Sequence, residues 1–207
     1  MMKNVIPLVQ EAASPKRDTC CLSSYLDIAI VPEKRKDIIS KLARKINSSK
    51  LEFDTIAFTG VSGALIGPAL ADKLNKKMII VRKKETKTHA YRKAEGFYKF
   101  STSHKEVKYI IIDDVIDSGK TIVTIIQRID KVSMLGKTNG LKNNCCVGIF
   151  LYNDSTKEHR ERNSYCEVKE ETKKDYSMDC HFYFDKRRKT PNITVPVFFI
   201  RPYSIQS

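Results

Sequence analysis

The stretch that most constrains this chain is Ile110-Ile111-Ile112-Asp113-Asp114-Val115-Ile116-Asp117-Ser118-Gly119-Lys120-Thr121-Ile122. Residues 107–112 form the strongest strand signal in the sequence. Two acids follow, then a short loop of hydroxyls and glycine, then a convincing helix over 121–135. In open α/β sheets, ligands bind beyond the carboxyl ends of the strands. A helix N-terminus there offers unpaired N–H groups and partial positive charge, which attract phosphate. Gly119 lets the backbone approach an anion closely, Ser118 and Thr121 add hydroxyl donors, and Lys120 adds charge. Asp113 and Asp114 repel phosphate, and suit sugar hydroxyls or a divalent cation. The tail Gly119-Lys120-Thr121 fits the end of a P-loop. That motif needs its first glycine at position 114, which is Asp114, so the P-loop reading fails.

The rest of the chain places this junction in an α/β frame. A short strand is expected over 25–31, ended by Pro32. A helix is expected over 33–47, where Ile38, Ile39, Leu42 and Ile46 recur at helical spacing. Residues 55–59 read as a strand running into the small-residue loop Gly60-Val61-Ser62-Gly63, followed by a helix over 64–75. Residues 78–81 and 145–152 read as further strands. Residues 82–105 lack periodicity and read as a long basic loop, of the kind that is functional or mobile in compact domains. Near-continuous apolar strands alternating with helices predict a parallel sheet flanked by helices. After Tyr152 the chain turns polar over 153–190, and residues 193–200 alternate around Pro196 like an edge strand. The expected organisation is a core over 33–152, with 1–32 and 153–207 as a small hood or C-terminal extension packed on it.

Charge narrows the ligand class. Lys and Arg number 38 against 24 Asp and Glu, a formal net charge of +14. Twelve of the basic residues, with only three acidic ones, lie between Lys73 and Lys108. A basic surface of this kind invites nucleic acid or phosphorylated small molecules. The longest apolar runs, near 110–112 and 195–200, fall far short of the roughly 18 residues that span a bilayer. The first ten residues lack the apolar core and cleavage site of a signal peptide, so a soluble, cytoplasmic protein is expected. Cys20, Cys21, Cys145, Cys146, Cys166 and Cys180 show no C-x-x-C or zinc-finger spacing and read as reduced, mostly structural thiols.

Four apolar residues, two acids, an Asp four residues after the first acid, and then Ser-Gly-Lys-Thr resemble the phosphoribosyl pyrophosphate (PRPP) signature of type I phosphoribosyltransferases. Other segments resemble that family in the same order. Residues 60–63 resemble its short pyrophosphate-binding loop. Lys83-Lys84-Glu85-Thr86-Lys87-Thr88-His89 resembles the catalytic lid of the orotate-type enzymes, with Lys83 where that family carries Arg. The resemblance covers roughly residues 33–152.

The resemblance implies transfer of a 5-phosphoribosyl group from PRPP to a nucleobase, purine or orotate-like, with release of pyrophosphate. It assigns PRPP binding to Val61, Ser62, Gly63, Lys83, Lys84, Asp113, Asp114, Asp117, Ser118, Gly119, Lys120 and Thr121. Asp113 and Asp114 would place Mg²⁺. Asp117, Lys87 and His89 would be catalytic. Asp117 matches the Asp that 6-oxopurine enzymes use on the purine imidazole nitrogen; capping of the following helix is the plain alternative. The signature thus points to a 6-oxopurine and the lid to orotate, and no base-binding hood pattern follows Tyr152. A homodimer is the expected assembly, with no membrane or nucleic-acid partner. The rival reading is a PRPP-sensing, nucleic-acid-binding regulator without transferase activity, which the Lys186-Arg187-Arg188-Lys189 cluster would suit.

Overall fold

The computed structural model describes residues 26–82, 94–96, 107–134, 144–153, 165–172, 177–185 and 191–200. Its elements run α1 (Asp27–Ile30), α2 (Pro32–Ser49), β1 (Thr55–Thr59), α3 (Gly60–Leu74), β2 (Lys77–Val81) and β3 (Ala94–Glu95). They continue with β4 (Val107–Asp113), α4 (Lys120–Met134), β5 (Asn144–Leu151), β6 (Cys166–Thr172), β7 (Ser177–Phe182) and β8 (Ile193–Phe199). Among the described residues the strands form one eight-stranded sheet in the order β3-β2-β1-β4-β5-β8-β7-β6. The central run β2-β1-β4-β5-β8 is parallel, whereas β3 at one edge joins by antiparallel pairing, as β7 does to β8 and β6 to β7 at the other.

Alternate residues of the parallel strands enter two different cores. Ile56, Phe58, Ile110, Ile112 and Phe150 pack with α1, α2 and α3 on one face. Ala57, Ile79, Tyr109, Ile111 and Ile149 pack with α4 on the other. This burial on both faces is why the strands read as continuous apolar runs rather than alternating ones. On one face Gly63 and Gly67 bring α3 close to β1: a Cβ at either position would stand 2.6 Å or less from a Phe58 side-chain atom.

Three local expectations change. Residues 27–30 are helical, not extended. Ala29 and Ile30 donate to the Leu26 carbonyl, Ala29 is fully buried, and Arg35 reaches back to the Ala29 and Ile30 carbonyls. An apolar run this short fits either structure by periodicity, and the tertiary contacts decide. Second, Gly60-Val61-Ser62-Gly63 is the first turn of α3 rather than a loop. Gly60, with φ of 66°, turns the chain from strand to helix in one residue. Third, the polar stretch after Tyr152 holds a β-hairpin. In β7, Met178, Cys180 and Phe182 are buried while the residues between them are half-buried. That is a period-two pattern hidden among charges.

β8 is interior over part of its length. β7 pairs with it from Ile193 to Phe198, whereas β5 pairs only at Val197–Phe199. Among the described residues the stretch up to Pro196 therefore has β7 alone beside it and keeps the edge character that a strand proline requires.

Candidate functional site

Counted along the chain, the five parallel strands stand in the order 2-1-3-4-5. The chain leaves the middle of the sheet in opposite directions from β1 and β4, which lie side by side. Such a switch point opens a crevice at the strands' carboxyl ends. A cleft of about 190 Å³ lies there, lined by Ser62 and by the continuous segment from Asp113 to Ile122.

Two helices begin at this cleft. α4 starts at Lys120, and the Gly119 carbonyl takes its first helical bond from Val123, 3.1 Å away. Gly119, not Asp117, therefore occupies the cap position, and the N–H groups of the first turn lack intrahelical acceptors. α3 starts at Gly60, and its cap residue Thr59 makes no side-chain capping bond. The Thr59 hydroxyl instead donates to the Val81 carbonyl at the end of β2. Neither helix has an acid in its first turn. Both ends are receptive to anions.

The two acids sit between these helices. Asp113 and Asp114 are 4% and 6% exposed. The Asp113 Oδ1 accepts from the Ser62 hydroxyl at 3.1 Å and from the Asp114 N–H at 3.0 Å. Burial, and then contact with the Asp114 side chain, push the Asp113 carboxyl well above the usual carboxylate range; the two donors act the other way. The backbone there is pinned to the next strand's end. Tyr152 N–H donates to the Asp113 carbonyl at 3.3 Å, and Asn153 N–H to that of Asp114 at 2.9 Å.

The 117–121 loop rests on the C-terminal hairpin. Tyr165 N–H donates to the Ser118 carbonyl at 3.1 Å, and Cys166 packs under Gly119. Asp117 and Lys120 are exposed; Ser118 and Thr121 are half-buried. Of residues 60–63, Ser62 lines the cleft, Gly63 packs on Phe58, and Val61 is 64% exposed. Lys83, Lys84, Lys87 and His89 lie outside the described residues, as does the 186–189 cluster. Arg82, just before the expected lid, hydrogen-bonds Glu95 through Nε at 2.7 Å. Sequence reasoning missed Tyr152, whose phenol donates to the Ser62 carbonyl at 3.0 Å. Nothing in the spacing of positions 62 and 152 signals that contact.

The description "Phosphoribosyl transferase domain" matches residues 29–179, well over half of the sequence. The chain belongs to the phosphoribosyl transferase domain family. Its relatives within that family carry different names. It is 28% identical over 158 residues to the orotate phosphoribosyltransferase of Coxiella burnetii, covering 73% of this chain and 69% of that one. It is 29% identical over 110 residues to the hypoxanthine/guanine phosphoribosyltransferase of Methanopyrus kandleri, covering 49% and 57%. It is 34% identical over 105 residues to the adenine phosphoribosyltransferase of Thermosipho africanus, covering 46% and 61%. The chain thus spans about three fifths of the last two phosphoribosyltransferases. These three relatives are named for three kinds of base. Among its described residues no helix is long and apolar enough to cross a membrane.

Proposed function

We propose that the protein transfers a 5-phosphoribosyl group from PRPP to a nucleobase and releases pyrophosphate. The observation that carries this reading is the convergence on one cleft of the Asp113–Asp114 pair and two open helix N-termini. PRPP has matching parts: a 5-phosphate, a diol and a pyrophosphate. In this reading the N–H groups and hydroxyls of residues 117–121 hold the 5-phosphate, with Lys120 adding charge. Asp113 and Asp114 accept from the ribose hydroxyls. The first turn of α3, at Val61, Ser62 and Gly63, receives the pyrophosphate.

Transfer passes through an oxocarbenium-like anomeric carbon while the leaving group gathers negative charge. Catalysis is then mainly positioning and electrostatic stabilisation. β2 delivers the chain to the same sheet edge, so Lys83, Lys84, Lys87 and His89 are proposed as a basic lid that excludes water from the activated sugar. Asp117 is exposed in the loop and sits two residues before the cap, so it is free to meet a base nitrogen rather than to cap α4.

The acid pair also fits a cation. Two adjacent carboxylates, with no third His, Cys, Asp or Glu grouped with them among the described residues, suit Mg²⁺ that takes its other ligands from substrate oxygens and water. Bound there, Mg²⁺ would neutralise charge on the leaving pyrophosphate.

The test is pyrophosphate release from PRPP and Mg²⁺ against hypoxanthine, guanine, xanthine, adenine, orotate and uracil in parallel. Release with one base establishes the transferase and names its acceptor. A purine acceptor supports the role given to Asp117, and orotate makes the lid the better guide. PRPP binding without release from any base moves the protein to PRPP sensing. Absence of PRPP binding sinks the reading.

A further inference from the structure

Tyr152 follows β5 directly and is 2% exposed, and the assignments above give it no part. Its phenol donates to the Ser62 carbonyl, whose residue donates in turn to Asp113. Its own N–H donates to the Asp113 carbonyl. These three bonds close a ring through the end of β5, the first turn of α3 and the end of β4. We propose that Tyr152 is a positioning residue that fixes the first turn of α3 over Asp113 for the pyrophosphate end of PRPP. This inference rests on the PRPP reading above.

The argument starts from what α3 lacks. Thr59 makes no capping bond to the turn, and Gly60 enters it at φ of 66°, a conformation that glycine adopts without restraint. The turn is therefore held from outside, by Phe58 beneath Gly63 and by the Tyr152 phenol. A helical carbonyl at Ser62 accepts from the amide four residues on, so the phenol is a second donor on an acceptor already used. Losing it leaves no orphaned carbonyl, and the helix persists; what goes is the tether. The 117–121 loop is anchored separately, by Tyr165 and Cys166. A buried phenol that merely satisfied itself would affect both ends of the substrate alike. A tether on α3 affects one.

The experiment is calorimetric titration of the full chain with pyrophosphate plus Mg²⁺, and separately with ribose 5-phosphate. Wild type, Tyr152→Phe and Ser62→Ala are compared. Loss of a supporting hydrogen bond of this kind weakens binding about tenfold or more, and that loss is expected for pyrophosphate in both variants. In Tyr152→Phe, ribose 5-phosphate affinity should stay within about twofold, because the 117–121 loop keeps its own anchors and Ser62 still donates to Asp113. Equal weakening of both ligands, or of neither, in Tyr152→Phe overturns the inference while leaving the PRPP reading standing. A wild-type chain that binds no pyrophosphate also overturns it. If that chain binds no ribose 5-phosphate either, the PRPP reading falls with it.

Discussion

Cys166 lies directly beneath Gly119, so that a Cβ added to the glycine would stand 2.7 Å from the Cys166 Cβ and 3.3 Å from its backbone nitrogen. Gly119 also holds φ of 70°. Two independent constraints thus demand glycine at the cap of α4. One of them comes from the C-terminal hairpin, outside the stretch that carries the sequence signature. The hairpin is the floor of the loop proposed to hold the 5-phosphate.

Gly119→Ala should therefore cost about 2 kcal/mol or more, from left-handed strain together with the clash. A lower melting temperature and lost ribose 5-phosphate binding are expected together. Adding Cys166→Gly relieves the contact but not the dihedral strain, so it should restore only part of the stability. Full recovery in the double variant would show that φ contributes nothing.

The packing of α3 makes a second prediction. A Cβ on Gly67 would come within 2.4 Å of Phe58 Cδ1, and Phe58 is 1% exposed, with no room to swing away. Alanine gains about 1 kcal/mol of helix propensity, whereas overpacking costs about 1–3 kcal/mol. Gly67→Ala should be net destabilising in urea melts. Combined with Phe58→Leu it should show a favourable coupling, since the smaller side chain admits the methyl group. Strict additivity in that cycle would mean that the two positions do not press on each other.

Much of this arrangement was legible in the sequence. β4, the loop and α4 were readable because anion binding at a strand-to-helix junction needs those residue types in unbroken order. The start of α3 was not: small residues at 60–63 look like a loop, and only the dihedral of Gly60 lets a helix begin where the strand stops. The hairpin was hidden because its short apolar face, Met178, Cys180 and Phe182, alternates with Ser177, Asp179 and His181 inside a charge-rich stretch. The helix at 27–30 depended on burial of Ala29 against the α2 and α3 side of the sheet. The contact of Tyr152 with Ser62 joins positions 90 apart in the chain, and no local pattern encodes it.

Of the four cysteines among the described residues, Cys146, Cys166 and Cys180 are buried and Cys145 is half-buried. Burial pushes the Cys146 thiol well up. Under native conditions, alkylation followed by mass spectrometry should label Cys145 ahead of these three, and denaturant should equalise them. Early labelling of Cys166 would show that the floor beneath Gly119 opens in solution.

Asp113 supplies the prediction in which stability and function oppose each other. Folding raises its pKa, chiefly by burial and then through Asp114. An acid with a raised folded pKa holds its proton more tightly in the folded protein than in the unfolded chain. Stability should therefore fall as pH rises from the ordinary carboxylate value, near 4, to the raised folded value, and stay lower above it. In Asp113→Asn the amide oxygen can still accept from Ser62 and the Asp114 N–H, and the buried charge is gone. The variant should lose that pH dependence and gain about 1 kcal/mol at neutral pH, the usual size of relief at a functional site. PRPP binding should be lost at the same time, because an amide N–H₂ then stands where a carboxylate oxygen accepts from the ribose hydroxyls. Urea melts across pH 4–8 in chelator, paired with PRPP titrations, read both effects. A variant that is less stable than wild type at neutral pH would mean that Asp113 is held for the fold rather than for the ligand.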